Sequence, residues 1–224
     1  MRRGVIAPSP PRLEEDLADA TLTPEALAAG AQLEGVRVAG ADLAGASARG
    51  VSFVHAHLQA VELAGAELRG LRLADAVLER CSLANVVAPE ASLSRVVISG
   101  ARLTGAQWPR AKVSDALFRD CRVDLAWLAG ATFERTTFEG CLLGQADLQD
   151  ALLRSVRFES CDLSEADLSG LRLERCELRG CRLEAIRGLE RLRGAAMPWP
   201  DILENAGVFA AALGIEALEE ETRS

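Results

Sequence analysis

The sequence predicts a repeat solenoid, a chain wound in five-residue steps, and not a globular mixture of helices and sheets. Three observations predict it. From Ala31 the chain reads AQLEG, VRVAG, ADLAG and keeps its frame through AELRG (66–70), ADLQD (146–150), CDLSE (161–165), ADLSG (166–170) and CRLEA (181–185). The third residue of each pentad, at every position ending in 3 or 8 from Leu33 to Leu183, is Leu, Val, Ile, Phe or Trp, except for Ala48 and Ala88. Two positions earlier stands Ala, Val, Leu or Cys, with Thr136 the lone polar residue. A helix places apolar residues at a spacing of 3.6 and a strand at 2.0, so neither fits as a continuous element. A chain that turns a corner after every pentad does fit. It sends the third residue and its i−2 neighbour inward, the small neighbour making room beside the larger one. Glycine at many pentad ends tolerates the positive φ such a turn can need.

These pentads resemble the pentapeptide-repeat family, whose pattern is A(D/N)LXX, and the resemblance covers residues 31–185. It implies an all-β fold, a right-handed quadrilateral β-helix in which four pentads make one square coil. Just under eight coils then stack about 4.8 Å apart into a rod roughly 37 Å long. Four columns of inward residues follow, each recurring every fourth pentad. One runs Leu33, Phe53, Leu73, Leu93, Val113, Phe133, Leu153, Leu173, and the next includes Phe118, Phe138 and Phe158, three rings expected to stack. The third is Leu throughout except Val123. In the fourth, Ala88 stands one coil below Trp108, so the indole is expected to fill volume the small residue leaves empty.

The ends must close the rod, because an open solenoid exposes backbone edges and apolar side chains. Residues 1–30 are read as an N-terminal extension and cap. The run MRRGVIAPSPPRLEEDL starts basic, breaks into prolines and then acids, and has no secretory apolar region. Its first twelve residues are expected to be mobile. Leu17, Leu22 and Leu27 keep the five-residue spacing one residue out of frame with Leu33, so LEEDLADATLTPEAL is either an irregular first coil or a short helix over the open end. Residues 186–224 are read as a C-terminal helical cap. Pro200 can start a helix, Asp201 suits its first turn, and Gly214 can end it. Ile202, Leu203, Ala206, Phe209, Ala210 and Leu213 supply the apolar stripe. The run ending LGIEAL resembles the segment that follows the repeats in several family members, where it mediates a two-fold dimer. A homodimer and a monomeric cap both remain open.

The chain has 224 residues and a formal net charge of −8. That balance argues against direct nucleic-acid binding, which Lys and Arg drive. No stretch approaches the roughly 20 apolar residues of a membrane span, and the expected compartment is the cytoplasm. All six cysteines stand at i−2 positions; Cys81, Cys121, Cys141, Cys161 and Cys181 share a column, and Cys176 lies on a neighbouring face. A linear ladder does not converge on a metal, and parallel side chains on stacked rungs do not bridge. The cysteines read as small buried apolar residues. His55 and His57 flank an alanine and point outward, with no nucleophile or paired carboxylate beside them. Glycine-rich pentads such as AGADLAG lack the strand–loop–helix setting of a phosphate loop. The expectation is a protein that is not an enzyme and holds no cofactor or metal.

Outward charge carries more information. Two adjoining faces, centred on Leu43 and Ala48, hold the acidic excess. In their C-terminal part stand Asp147, Asp150, Asp162, Glu165, Asp167 and Glu184, opposed within the repeat by Arg182 alone. Fluoroquinolone-resistance members of the family are rod-shaped dimers that imitate duplex DNA and bind DNA gyrase. The resemblance therefore implies gyrase or topoisomerase IV as a partner, reached by an acidic surface steering toward a basic saddle. The alternative is a structural or scaffold protein docking some other protein. Val77, Val97 and Leu117 form an outward apolar stripe that the N-terminal segment or a partner is expected to cover. Leu125, Trp127 and Leu142 are also expected outward.

Overall fold

Every fifth residue from Gly30 to Ala185 lies in the left-handed region of backbone space, and this repeated corner builds the fold. Fewer than half of these corners are glycine; His55, Asp75, Asn85, Arg95, Asp115 and Arg135 are among the others. A side-chain-bearing residue pays about 1–2 kcal/mol for that conformation, so the stacking gained at each corner must exceed it. The computed structural model describes residues 4–13 and 16–216. Within it the chain forms a parallel β-helix of about eight turns with a small helical portion at its C-terminus.

Successive coils pair in register at a spacing of twenty residues. Two of the four sides run together as one eight-residue strand per coil, Ser52–Gln59, Arg72–Glu79, Ser92–Ser99, Lys112–Arg119, Thr132–Glu139 and Leu152–Glu159. Phe53 pairs with Leu73, Leu73 with Leu93 and Leu93 with Val113. The other two sides touch mostly through single bridges, such as Asp42 to Glu62 and Glu62 to Ser82, with one short strand pair, Ser47–Arg49 against Glu67–Arg69. Leu43 donates to the Glu62 carbonyl at 2.7 Å and Glu62 donates back to Ala41 at 2.9 Å. Most backbone groups thus find partners one coil away, and turn bonds within a coil, such as Ala66 N–H to the Leu63 carbonyl at 3.0 Å, take up others, which satisfies the polar chain around an apolar interior.

The inward columns form one core from Leu22 to Leu183. Phe118, Phe138 and Phe158 stack with centroids 4.8 and 5.1 Å apart, while Phe133 meets Phe138 edge-on at 5.6 Å. Trp108 and Ala88 are both buried, as the pairing of a large and a small residue requires. Thr136 is fully buried, and its hydroxyl donates to the Glu134 carbonyl at 3.2 Å. Cys121, Cys141 and Cys161 direct their thiols at the equivalent carbonyl two residues back. The threonine thus takes a cysteine's place with the same local bond.

At the N-terminal end the irregular coil forms. Ala18–Asp19 is a strand paired with Val36 and Arg37, and Leu22 and Leu27 are buried in the core. The only helical turn there among the described residues is the 3-10 turn Pro24–Ala26. Glu14 and Glu15, within the same stretch, lie outside the described residues.

At the other end the coil pattern continues two residues past Ala185: Arg187 bridges to Asp167, and its N–H donates to Ala166. Gly188 then takes the chain out, with φ 73 and no room for a side chain, since a Cβ there would lie 2.8 Å from the Ser169 nitrogen. A 3-10 turn at Leu189–Leu192 leads to helices α1 (Trp199–Glu204) and α2 (Ala206–Ala212). The expected single helix is therefore two. The break falls at Asn205, buried with φ −93 and ψ 11, whose amide donates to the Asp201 carbonyl at 2.9 Å. The break also divides the apolar stripe. Ile202, Phe209 and Ala210 are half-buried, Phe209 packing on the core beside Val208, while Leu203, Ala206 and Leu213 face out. Ala217 and Leu218, which end the LGIEAL run, lie outside the described residues. No helix among the described residues is long and apolar enough to cross a membrane.

Candidate functional site

The sequence-derived acidic residues come together on the two bridge-paired sides, but not as a uniform patch. The i−1 aspartates are shaped by the turn: Asp147, Asp162 and Asp167 each accept the N–H two residues on, from Gln149, Ser164 and Ser169, all at 2.9 Å. This local bond is what aspartate offers a turn, and it explains the recurrence of the residue in the pentad. Arg182 pairs with Asp162 at 3.6 Å and with Glu184 at 3.2 Å. Arg187 pairs with Asp167 at 3.1 Å. Arg182 is therefore not the lone counter-charge: the arginine just beyond the pentad frame lands one coil above Asp167. Burial opposes ionisation of Asp162 and Asp167. The hydrogen bonds from Ser164 and Ser169 and the adjacent arginines outweigh it and hold both carboxyls below the usual range.

Asp147, Asp150 and Glu165 make no ion pair among the described residues, and Asp150 and Glu165 are exposed. Against them stands an apolar group. Leu125, Trp127 and Leu142 are 56%, 45% and 42% exposed, as their outward positions predict. The coil register joins the two sets: Trp127 bridges to Asp147, and Leu142 to Asp162. A large aromatic ring, two leucines and unpaired carboxylates thus share one surface across consecutive coils.

The opposite corner of the rod is covered by residues 4–12, which were expected to be mobile and are instead held by hydrogen bonds; residues 1–3 of that expectation lie outside the described residues. Residues 4–13 run extended along the column of left-handed corners His55, Asp75, Arg95, Asp115, Arg135, Ser155 and Arg175. The Ser9 N–H donates to Asp115 at 3.0 Å and the Arg12 N–H to Asp75 at 2.9 Å. His55 donates from Nδ1 to the Arg12 carbonyl at 2.7 Å, which fixes its tautomer and gives it a structural role. At the far end Gly4 and Val5 line a recess with Arg175, Cys176, Glu177, Gly194 and Ala196. Asp75 and Asp115 are only 4% and 8% exposed. Each is gripped by the arginine one coil on, Arg95 at 2.6 and 2.5 Å and Arg135 at 2.9 and 2.7 Å. Those guanidinium bonds hold both carboxyls below the usual range against the cost of burial, and the strap N–H groups add to the effect. Val77 and Leu117 lie in the same strands as Asp75 and Asp115 and are half-buried, so the strap runs beside the apolar stripe. The sequence did carry a signal for this site: Asp and Arg alternate at twenty-residue steps on one corner.

Elsewhere the chemistry is sparse. All six cysteines are buried and unbridged, and burial pushes up the thiols of Cys81 and Cys176. His57 Nε2 lies 3.3 Å from the Glu79 carboxylate. Among the described residues no group of three or more His, Cys, Asp or Glu is placed to hold a metal ion. An open groove of about 940 Å³ runs between the last coil and α2, lined by Leu173, Leu189, Leu192, Phe209 and Leu213 among others.

Two family models match the chain. One, pentapeptide repeats (8 copies), matches residues 29–63, 39–73 and 72–107; the other, pentapeptide repeat region, matches 126–187. No curated protein matches. Among solved structures, a trypsin-treated form of QnrB1, a plasmid-mediated fluoroquinolone resistance protein, is 15% identical with a TM-score of 0.47, over 85% of this chain and 99% of that one. HetL, a pentapeptide repeat protein involved in heterocyst differentiation regulation in the cyanobacterium Nostoc, is 20% identical with a TM-score of 0.29, over 76% of this chain and 91% of that one. Rfr23 from the cyanobacterium Cyanothece is 18% identical with a TM-score of 0.19, over 70% and 90%.

Proposed function

The chain belongs to the pentapeptide-repeat family, and from that premise we propose that it is a non-catalytic protein-interaction module, docking a folded partner against one flank of its rod. The observation that carries this reading is the mixed surface of Leu125, Trp127 and Leu142 beside Asp147, Asp150 and Glu165. Exposed apolar groups clustered within a polar rim mark interaction sites, and an aromatic centre is what anchors them. The stacked coils hold the backbone beneath these groups in place, so binding need order only their side chains. The partner this surface fits is basic around an apolar contact.

The finer reading is that the partner is DNA gyrase or topoisomerase IV, met by the acidic flank in imitation of duplex DNA. The unpaired carboxylates support it, and the arginines on Asp162, Asp167 and Glu184 restrict the imitation to Asp147, Asp150 and Glu165. A supercoiling assay with and without a quinolone tests it. The native chain is expected to inhibit gyrase or protect it at micromolar concentration. The triple reversal Asp147→Lys, Asp150→Lys, Glu165→Lys is expected to lose the effect. No effect from the native chain removes the topoisomerase and leaves a scaffold docking another protein.

We also propose a two-fold homodimer through the C-terminal end. Trp199, Leu203, Leu213 and Ile215 are all exposed there, beside the groove that Phe209 and Leu213 line. The expected compartment remains the cytoplasm.

A further inference from the structure

The corner column from His55 to Arg175 is more regular than a chance packing of the N-terminus requires. Its acceptors, Asp75 and Asp115, stand two coils apart, about 9.6 Å at the spacing of stacked strands. The strap donors that reach them, Arg12 and Ser9, are three residues apart, about 9.3 Å in a polyproline II chain. One turn of that helix therefore matches two coils of the rod. The half-buried strap residues, Val5, Pro8 and Pro11, recur with the same period of three. Pro8, Pro10 and Pro11 have no N–H to satisfy, and the N–H groups of Ser9 and Arg12 are the ones bonded. The same step places Ile6 level with Ser155, which is buried with its hydroxyl unpartnered. Arg95, Arg135 and Arg175 fill the alternate coils, and the first two each clamp the carboxylate one coil below in a bidentate pair.

We propose that this column is a binding track for extended, proline-rich peptide segments, and that residues 4–13 occupy it as an internal ligand which a partner's proline-rich segment displaces. The features that recognise the strap are general to such segments: acceptors at the polyproline II pitch, an apolar stripe of Val77 and Leu117 alongside, and no demand on the N–H groups that prolines lack. Nothing in the track is specific to attachment in the same chain. The tether sets the occupancy instead, since a short linker holds the strap at a millimolar effective concentration. The track lies on the corner between the two strand-forming sides, away from the acidic flank, so its failure and that of the topoisomerase reading are distinguishable.

The test weakens the strap without altering the track. In the full chain, Ser9→Pro and Arg12→Pro remove the two donated N–H groups and preserve an extended backbone. A fluorescein-labelled peptide GVIAPSPPRL, which keeps both donors, is then titrated and followed by anisotropy. The Ser9→Pro, Arg12→Pro chain is expected to bind it at least tenfold more tightly than the native chain, whose strap competes. Adding Asp75→Asn and Asp115→Asn is expected to weaken binding at least tenfold, and so is replacing the peptide's prolines by glycine. Unchanged far-ultraviolet circular dichroism shows that the coils persist in each variant. Equal binding to the native and strap-weakened chains, binding indifferent to Asp75 and Asp115, or no saturable binding to any chain overturns the proposal.

Discussion

Trp108 is the largest fully buried side chain, and truncating it tests how the core is balanced. It stands over Ala88, and its Nε1–H meets no acceptor. Beside it lies a void of about 10 Å³, lined by apolar groups including Leu103, Phe118, Val123 and Phe133. A water needs about 10–15 Å³ and several polar partners, so the void does not solvate the indole nitrogen. Cutting a large aromatic to alanine in a core costs about 3–5 kcal/mol. Removing a buried donor that has no partner returns about 1–3 kcal/mol. Trp108→Ala is therefore expected to lose about 2 kcal/mol, the middle of the roughly 0–4 kcal/mol the two ranges leave and less than the volume alone implies. In a chain of this size that lowers the thermal midpoint by roughly 4–8 °C. Trp108→Phe keeps most of the packing and removes the same donor, so it is expected to lie within about 1 kcal/mol of the native chain, or above it. Urea unfolding followed by circular dichroism measures both, with equal m-values required for the comparison. A phenylalanine variant as unstable as the alanine one would refute the reasoning, since the nitrogen would then be contributing a bond.

The remaining predictions concern acid and assembly. Asp75 and Asp115 titrate lower folded than unfolded, so the unfolded chain takes up protons first as pH falls. Their contribution is whole above the unfolded value of about 3.9 and disappears as pH drops through the folded values. The thermal midpoint should therefore decline in that acid range, and decline less steeply in the Asp75→Asn, Asp115→Asn chain; parallel profiles would contradict this. For assembly, light scattering of the native chain should give the mass of two copies. Leu203→Glu with Leu213→Glu, both exposed in one protomer, should give one copy with unchanged circular dichroism.

The repeat body was legible because its geometry is local and reiterated. A corner at every fifth residue decides which positions face inward, and stacking at twenty residues gives every coil the same surroundings. Frame and residue size were therefore enough to place the phenylalanine stack, the buried cysteines and Trp108 over Ala88. Leu125, Trp127 and Leu142 could be assigned outward for the same reason. The ends obey no such rule. Arg187 looked unrelated to Asp167 because the pentad spelling stops at Ala185, although the backbone goes on pairing for two residues more. The C-terminal stripe has helical spacing throughout, yet buried Asn205 and its bond to the Asp201 carbonyl divide it.

The solenoid, with its period, its inward columns and the turn chemistry of its aspartates, was readable from the residues alone. Each of those is set by residues within one pentad or one coil apart. Where the proline-rich N-terminus lies, and which carboxylates stay unpaired among the described residues, emerged from the folded coils. Those outcomes join Ser9 to Asp115 and Arg12 to Asp75, across 106 and 63 residues that share no repeat phase. A strap lying across the coils reads their stacking distance, about 4.8 Å, a length that appears only once the chain is wound.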